Sequence, residues 1–71
     1  MKTIDCASSS NLASATYEPE AGELRVSYKD GSTYIYENVP PGCIADMELA
    51  DSKGSFIHKF VKPFYSVQRL N

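Results

Sequence analysis

Two turn sequences that separate short runs of alternating apolar and polar residues constrain this chain most. The first turn, residues 18–22, contains a proline and a glycine, and the second, residues 29–32, contains an Asp-Gly pair. Proline fixes φ and glycine tolerates positive φ, so both segments favour a reversal of the chain. Between them, Leu24 and Val26 alternate with polar residues, as in a strand with one buried face. The sequence therefore predicts a three-stranded antiparallel meander over residues 12–17, 23–28 and 32–37.

The segment after residue 39 changes to helical spacing. Pro41 fits the first turn of a helix, because the N–H that it lacks would have no partner within the helix. Cys43, Ile44 and Met47 then recur at helical intervals, which predicts a helix over residues 41–50.

A second short helix is predicted between a cap at Asp51 or Ser52 and a stop at Pro63. The segment 64–70 is predicted to be extended and able to form a fourth strand. The predicted helical core consists of Ile44, Met47, Phe56, Ile57 and Phe60. Emptying a buried aromatic site costs roughly 3–5 kcal/mol, and Phe60→Ala is expected to do so.

The length of 71 residues suits one α+β domain, here residues 1–71, with residues 1–8 expected to be a flexible arm. Two distant cysteines are too few for a disulfide scaffold or a zinc site, so both are expected to be reduced thiols. The N-terminal residues lack the apolar run of a signal peptide, and no stretch is long enough to span a membrane. We therefore expect a cytoplasmic protein with no membrane contact.

The net charge of −2 hides an asymmetry. Residues 1–51 carry three bases and nine acids, or 3 − 9 = −6, whereas residues 52–71 carry four bases and no acid, or +4. Such asymmetry points to an anionic partner, unless the basic tail packs against the acidic helix before it. The candidate contact residues, which are interleaved with aromatic residues as in proteins that bind single-stranded nucleic acid, are Lys53, His58, Lys59, Lys62 and Arg69.

Tyr34 and Tyr36 share one face of the third strand, and the preceding turn decides which face. A two-residue turn would place them on the polar face beside Arg25, where they could stack on bases. A three-residue turn with Gly31 at positive φ would place them with Leu24 and Val26 in the core. The second register is favoured because it joins four large side chains, and both tyrosines and Arg25 remain candidate contact residues.

The residues show no catalytic array. His58 is the one histidine, and neither cysteine is placed beside it by spacing. The glycines form no phosphate-binding pattern, and the carboxylates near the first turn are expected to be solvated. We predict no enzyme activity, no cofactor and no metal.

The ordered series of short motifs resembles the KTSC domain, a short domain named for the C-terminus of some lysyl-tRNA synthetases. The motifs are Ser9-Ser10-Asn11-Leu12, Tyr17-Glu18-Pro19-Glu20, Leu24-Arg25-Val26, Asp30-Gly31-Ser32, Tyr34-Ile35-Tyr36, Val39-Pro40 and the segment 50–56. The resemblance covers roughly residues 8–69, although the segment around Pro63 is less rich in arginine than the family's pattern. It implies a small non-enzymatic module that binds RNA, for example tRNA. The alternative is a protein-interaction module, such as an accessory or phage-type protein that engages its partner through the acidic N-terminal two-thirds.

Overall fold

A five-stranded antiparallel sheet forms the framework of the protein. A computed structural model describes residues 1–4, 6 and 11–70. The strands are β1 (Lys2–Ile4), β2 (Leu12–Glu18), β3 (Glu23–Tyr28), β4 (Thr33–Tyr36) and β5 (Val67–Arg69), and they lie side by side in chain order. Between β4 and β5 the chain forms α1 (Pro41–Leu49) and α2 (Lys53–Phe56), and α2 continues directly into a π-helical turn (Ile57–Val61). The α+β prediction is confirmed.

The three central strands confirm the predicted meander, with one irregularity. Strict alternation over residues 12–17 would place Leu12, Ser14 and Thr16 on one face, but Leu12 and Ala15 are both buried. The register between β2 and β3 shifts between Leu12 and Ser14. An extra residue in one strand turns the following side chains to the other face. This bulge returns Leu12 to the buried face that Ala15 and Tyr17 share.

The hairpin between β3 and β4 has the three-residue turn. The Tyr28 amide donates to the Ser32 carbonyl at 2.8 Å, and Gly31 has a φ of +97°. Val26 therefore lies opposite Tyr34, and Leu24 lies opposite Tyr36. The favoured register is confirmed, and both tyrosines share the face that carries the core.

Both edge strands lie in segments whose sequence indicates a strand less strongly than the sequences of the three central strands do. β5 confirms that the C-terminal extended segment can form a strand, over Val67–Arg69. The expectation of a flexible arm is wrong for Lys2–Ile4, which pairs with β2 and buries Ile4. Lys2 also forms a 2.8 Å ion pair with Glu48 of α1. Residues 5, 7 and 8 of the predicted arm, together with residues 9 and 10, lie outside the described residues.

The helical segment packs on one face of the sheet. The Ser52 hydroxyl accepts a hydrogen bond from the Ser55 amide at 3.3 Å and so caps α2, as one of the two predicted caps. The buried residues of the helices pack with the inner residues of the sheet in one hydrophobic cluster and are Ile44, Met47, Ile57 and Val61. The described residues include no helix that is long and apolar enough to cross a membrane.

The predicted core position of Phe60 is wrong. Its side chain is 54% exposed, whereas Ile57 and Val61 are buried and Phe56 is partly buried. The π turn explains the difference, because its i→i+5 hydrogen bond from the Lys62 amide to the Ile57 carbonyl widens the helix. Each residue then turns through a smaller angle than in an α-helix, so Ile57 and Val61 face the sheet while Phe60 points away.

Candidate functional site

A cleft of about 280 Å³ opens between the sheet and the π turn. We call it the tyrosine cleft. The sheet contributes Tyr28, Tyr34, Tyr36 and Val67, the turn before β4 contributes Asp30 and Ser32, and the helical side contributes Ile57, His58 and Lys62. Strand alternation places the three tyrosines on one face of the sheet, and the turn register selects the inner face. The cleft is therefore a direct product of the three-residue turn.

Tyr28 contacts both tyrosines of β4. The Tyr28 and Tyr34 rings meet edge to face, with centroids 5.7 Å apart and an interplanar angle of 83°. This arrangement brings the positive edge of one ring to the negative face of the other. Tyr36 is buried, whereas Tyr28 and Tyr34 are half-buried and keep part of their surface toward the cleft.

Burial raises the pKa of Tyr36 to about 12, and its hydroxyl also donates a hydrogen bond to that of Tyr28. Burial raises the pKa of Tyr28 as well, although the hydrogen bond from Tyr36 opposes that effect. Both hydroxyls are therefore neutral at physiological pH. Neutral phenols can donate and accept hydrogen bonds, which suits recognition of polar ligand groups rather than nucleophilic attack.

The turn at the edge of the cleft is held by Asp30. Its carboxylate accepts hydrogen bonds from the Ser32 hydroxyl at 2.6 Å and from the Ser32 amide at 2.9 Å. These two bonds lower the pKa of Asp30, which stays ionised at neutral pH. The bonds to Ser32 brace the chain immediately before the two tyrosines of β4.

Three basic side chains surround the cleft. His58 and Lys62 are four residues apart on the helical side, so they can lie on the same side of the helix, and both line the cleft. Arg69 of β5 lies opposite, with its guanidinium 5.8 Å from the centre of the Tyr34 ring. A cation at this distance is attracted by the face of the ring. The basic side chains therefore flank the exposed parts of the tyrosine rings.

The candidate residues from sequence fall into two groups. The cleft and its rim bring together Tyr34, Tyr36, His58, Lys62 and Arg69. The cleft also includes Tyr28, which was not among the candidates predicted from sequence.

The other three candidates lie elsewhere. The Lys53 ammonium donates to the carbonyls of Glu48 and Ala50, at 3.1 and 2.8 Å, and so caps the end of α1. Arg25 lies on the opposite face of the sheet, with Glu18 and Glu23 lining the same depression. Lys59 is exposed on the π turn but does not line the cleft.

The cleft offers donors, aromatic surface and positive charge. Cys43 lines a separate groove with Tyr65 and does not line the cleft with His58. Among the described residues, no group of three or more His, Cys, Asp or Glu side chains could hold a metal ion. An antiparallel sheet covered on one face, two short helices and a small tyrosine-lined cleft define a small α+β domain, and nothing among the described residues indicates catalytic activity.

The KTSC domain model matches residues 8–65, and the chain belongs to the KTSC domain family. It is 38% identical over 62 residues to a protein from Tsukamurella paurometabola, with 87% of this chain and 92% of that protein covered. It is also 34% identical over 56 residues to the lysine–tRNA ligase of Nostoc punctiforme. That match covers 79% of this chain and 10% of the ligase, so the chain corresponds to about a tenth of the longer protein.

The fold is similar to the crystal structure of a KTSC domain protein from Yersinia pestis. The two chains superimpose with a TM-score of 0.82 at 28% identity, and 94% of each chain is covered. The sheet-and-helix arrangement described above is therefore shared with a solved member of the family.

Proposed function

We propose that this chain is a non-catalytic RNA-binding module and that the tyrosine cleft receives an unpaired nucleotide. The observation that supports this most is the convergence of tyrosine rings from two strands with His58 and Lys62 from the helical side. Single-stranded RNA is bound by aromatic rings that stack on bases and by cations that pair with phosphates. The cleft provides both kinds of group within one small site.

The size of the cleft supports a single nucleotide. Its volume of about 280 Å³ lies just below the range for pockets that bind drug-sized ligands, about 300–1,000 Å³. The hydroxyls of Tyr28 and Tyr36 are neutral and can donate to or accept from the edge of a base. An unpaired nucleotide fits these groups better than duplex RNA, whose base edges are engaged.

The distribution of charge also favours the tyrosine cleft as the RNA-binding surface. The basic residues near the cleft belong to a segment of charge +4, whereas residues 1–51 carry −6 and would repel phosphate. The similarity to about a tenth of a lysine–tRNA ligase makes tRNA a reasonable first ligand. Lys53 is occupied as a helix cap, so we propose Lys59, Lys62 and Arg69 as the phosphate contacts.

The test is a fluorescence-anisotropy titration of labelled single-stranded RNA, with tRNA and a duplex of the same sequence as competitors. Three phosphate contacts predict that log K falls with log [salt] with a slope of about −2, since each single-strand phosphate contributes about −0.7. Lys62→Glu, alone or with Lys59→Glu, should weaken binding at least tenfold.

The matched control is Arg25→Glu, which makes the same charge change on the opposite face of the sheet. We expect it to retain most of the affinity. Equal losses in Lys62→Glu and Arg25→Glu would show that binding follows net charge and not the cleft. An absence of binding at low salt would reject the proposal and favour the protein-interaction alternative.

A further inference from the structure

A second concave surface lies on the outer side of the helical segment, away from the tyrosine cleft. We call it the aromatic groove. It has a volume of about 480 Å³ and is lined by Pro40, Cys43, Asp46, Phe56, Phe60 and Tyr65. The tyrosine cleft and the aromatic groove share no lining residue, although the helical segment 53–61 contributes side chains to both.

The walls of the aromatic groove are held in place by contacts within the protein. The Phe56 and Phe60 rings pack against each other with centroids 5.1 Å apart and an interplanar angle of 44°. The Tyr65 hydroxyl donates a hydrogen bond to the Cys43 sulfur and so connects two lining residues of the groove. Burial raises the pKa of Cys43, so the thiol remains neutral at physiological pH and adds no charge to the groove.

The exposure of Phe60 is a consequence of the π turn. A regular α-helix would turn Phe60 toward Ile57 and the core, whereas the observed turn leaves the ring 54% exposed at the edge of the groove. π turns occur frequently at functional sites. A phenylalanine so placed gives the groove an aromatic ridge that the hydrophobic core does not use.

Of the described residues, Asp46 is the one charged residue that lines the aromatic groove. It is exposed, and within the described part of the chain its carboxylate forms no salt bridge. An anionic ligand such as RNA would be repelled there, while an arginine or lysine would be attracted. The charge of the groove is thus complementary to a basic ligand, in contrast to the tyrosine cleft.

We propose that the aromatic groove binds a short, extended, proline-containing peptide that carries an arginine or lysine to pair with Asp46. A strand-adding peptide is disfavoured because side chains, and not a free sheet edge, line the groove. The polyproline II conformation suits it better, since proline rings pack on aromatic ridges and the preformed peptide loses little entropy on binding. A volume of about 480 Å³ holds a few side chains, whereas a helix about 10–12 Å across needs a longer contact surface.

The experiment is selection of a phage-displayed random dodecapeptide library on the full chain, with Phe60→Ser as the counter-selected variant. We expect enriched peptides to contain proline together with arginine or lysine. A synthetic peptide with the enriched sequence should bind the parent at least tenfold more tightly than Phe60→Ser. Asp46→Asn should weaken that peptide severalfold but leave unchanged the binding of its arginine-to-glutamine version.

The matched control is Phe64→Ser, since Phe64 is 70% exposed but does not line the groove. It should bind the peptide as the parent does, and circular dichroism should show that all three variants are folded. The proposal is overturned if no sequence is enriched on the parent over Phe60→Ser, or if Phe64→Ser loses as much affinity as Phe60→Ser. Enrichment of acidic peptides, or of helix-forming apolar peptides without proline, would overturn the proposed occupant.

Discussion

Two substitutions one helical turn apart, Ile57→Ala and Phe60→Ala, should differ sharply in their effect on stability. Ile57 is 1% exposed, and truncation of a buried isoleucine costs about 2–5 kcal/mol. Phe60 is 54% exposed and packs mainly against Phe56. About half of the ring's surface is removed from water, and the aromatic pair adds to that burial, so we expect Phe60→Ala to cost about 1–2.5 kcal/mol and not the 3–5 kcal/mol of a buried ring.

The assay is thermal and urea unfolding followed by circular dichroism. In a domain of this size each kcal/mol moves Tm by roughly 4–8 °C, so Phe60→Ala should lower Tm by roughly 4–20 °C. Ile57→Ala should lower it by roughly 8–40 °C, which at the upper end unfolds the chain. If Phe60→Ala alone removed 3 kcal/mol or more, the ring would have to be buried, and the π-turn account of its position would be refuted.

Three further perturbations test the hairpin, the tyrosine cleft and the helix cap. Gly31→Ala should destabilise the fold by about 1–2 kcal/mol because residue 31 has a positive φ. Gly31→Asn should cost less, because asparagine adopts positive φ more readily than alanine. Equal urea midpoints for both variants and the parent would contradict this prediction. The pKa of Tyr36 is raised in the folded state, so its neutral hydroxyl stabilises the fold. This stabilisation is complete below pH 10 and decreases as the pH rises toward about 12. Urea midpoints measured above about pH 10 should therefore fall less steeply in Tyr36→Phe than in the parent, and identical slopes would count against the assigned pKa. Lys53→Met keeps the aliphatic stem but loses the hydrogen bonds to the carbonyls of Glu48 and Ala50. The free energy of unfolding, measured with urea, should fall by about 1 kcal/mol. An unchanged free energy of unfolding would show that the cap contributes nothing to stability.

The sequence predicts the local elements whose signals are strong and short-range. The Asp-Gly turn and the alternation of Leu24 and Val26 define one hairpin, and the favoured register follows because it buries four large side chains together. The same register places two of the candidate residues, Tyr34 and Tyr36, in the tyrosine cleft. Here local propensity and burial favour the same structure.

Features that depend on tertiary context could not be predicted. Ile4 has few apolar neighbours in the sequence, and only pairing with β2 makes its burial favourable. The β-bulge between Leu12 and Ser14 reverses a face assignment that strict alternation makes. The spacing of Phe56, Ile57, Phe60 and Val61 fits an α-helix, so nothing local indicates the π turn that exposes Phe60.

Tertiary context also decides which of the candidate contact residues lie at the tyrosine cleft. Lys53, Lys59 and Lys62 are equivalent in a charge count, but Lys53 is directed to the carbonyl end of α1. Arg25 was tied to the tyrosines only in the two-residue turn, which the structure does not have. Composition thus gives the number of basic residues, whereas packing decides which of their side chains face the tyrosine cleft.

The strand order, which follows the chain, has a consequence for how the protein folds. Strands β1 to β4 can pair through successive neighbours in sequence, so their contacts close short loops and should form rapidly. β5 pairs with β4 across the whole intervening helical segment, so this pairing closes a longer loop at a higher entropic cost. One wall of the tyrosine cleft comes from β3, β4 and the turn between them, and the other comes from the helical segment and β5. We therefore expect it to be completed late in folding and to open first when the C-terminal strand detaches.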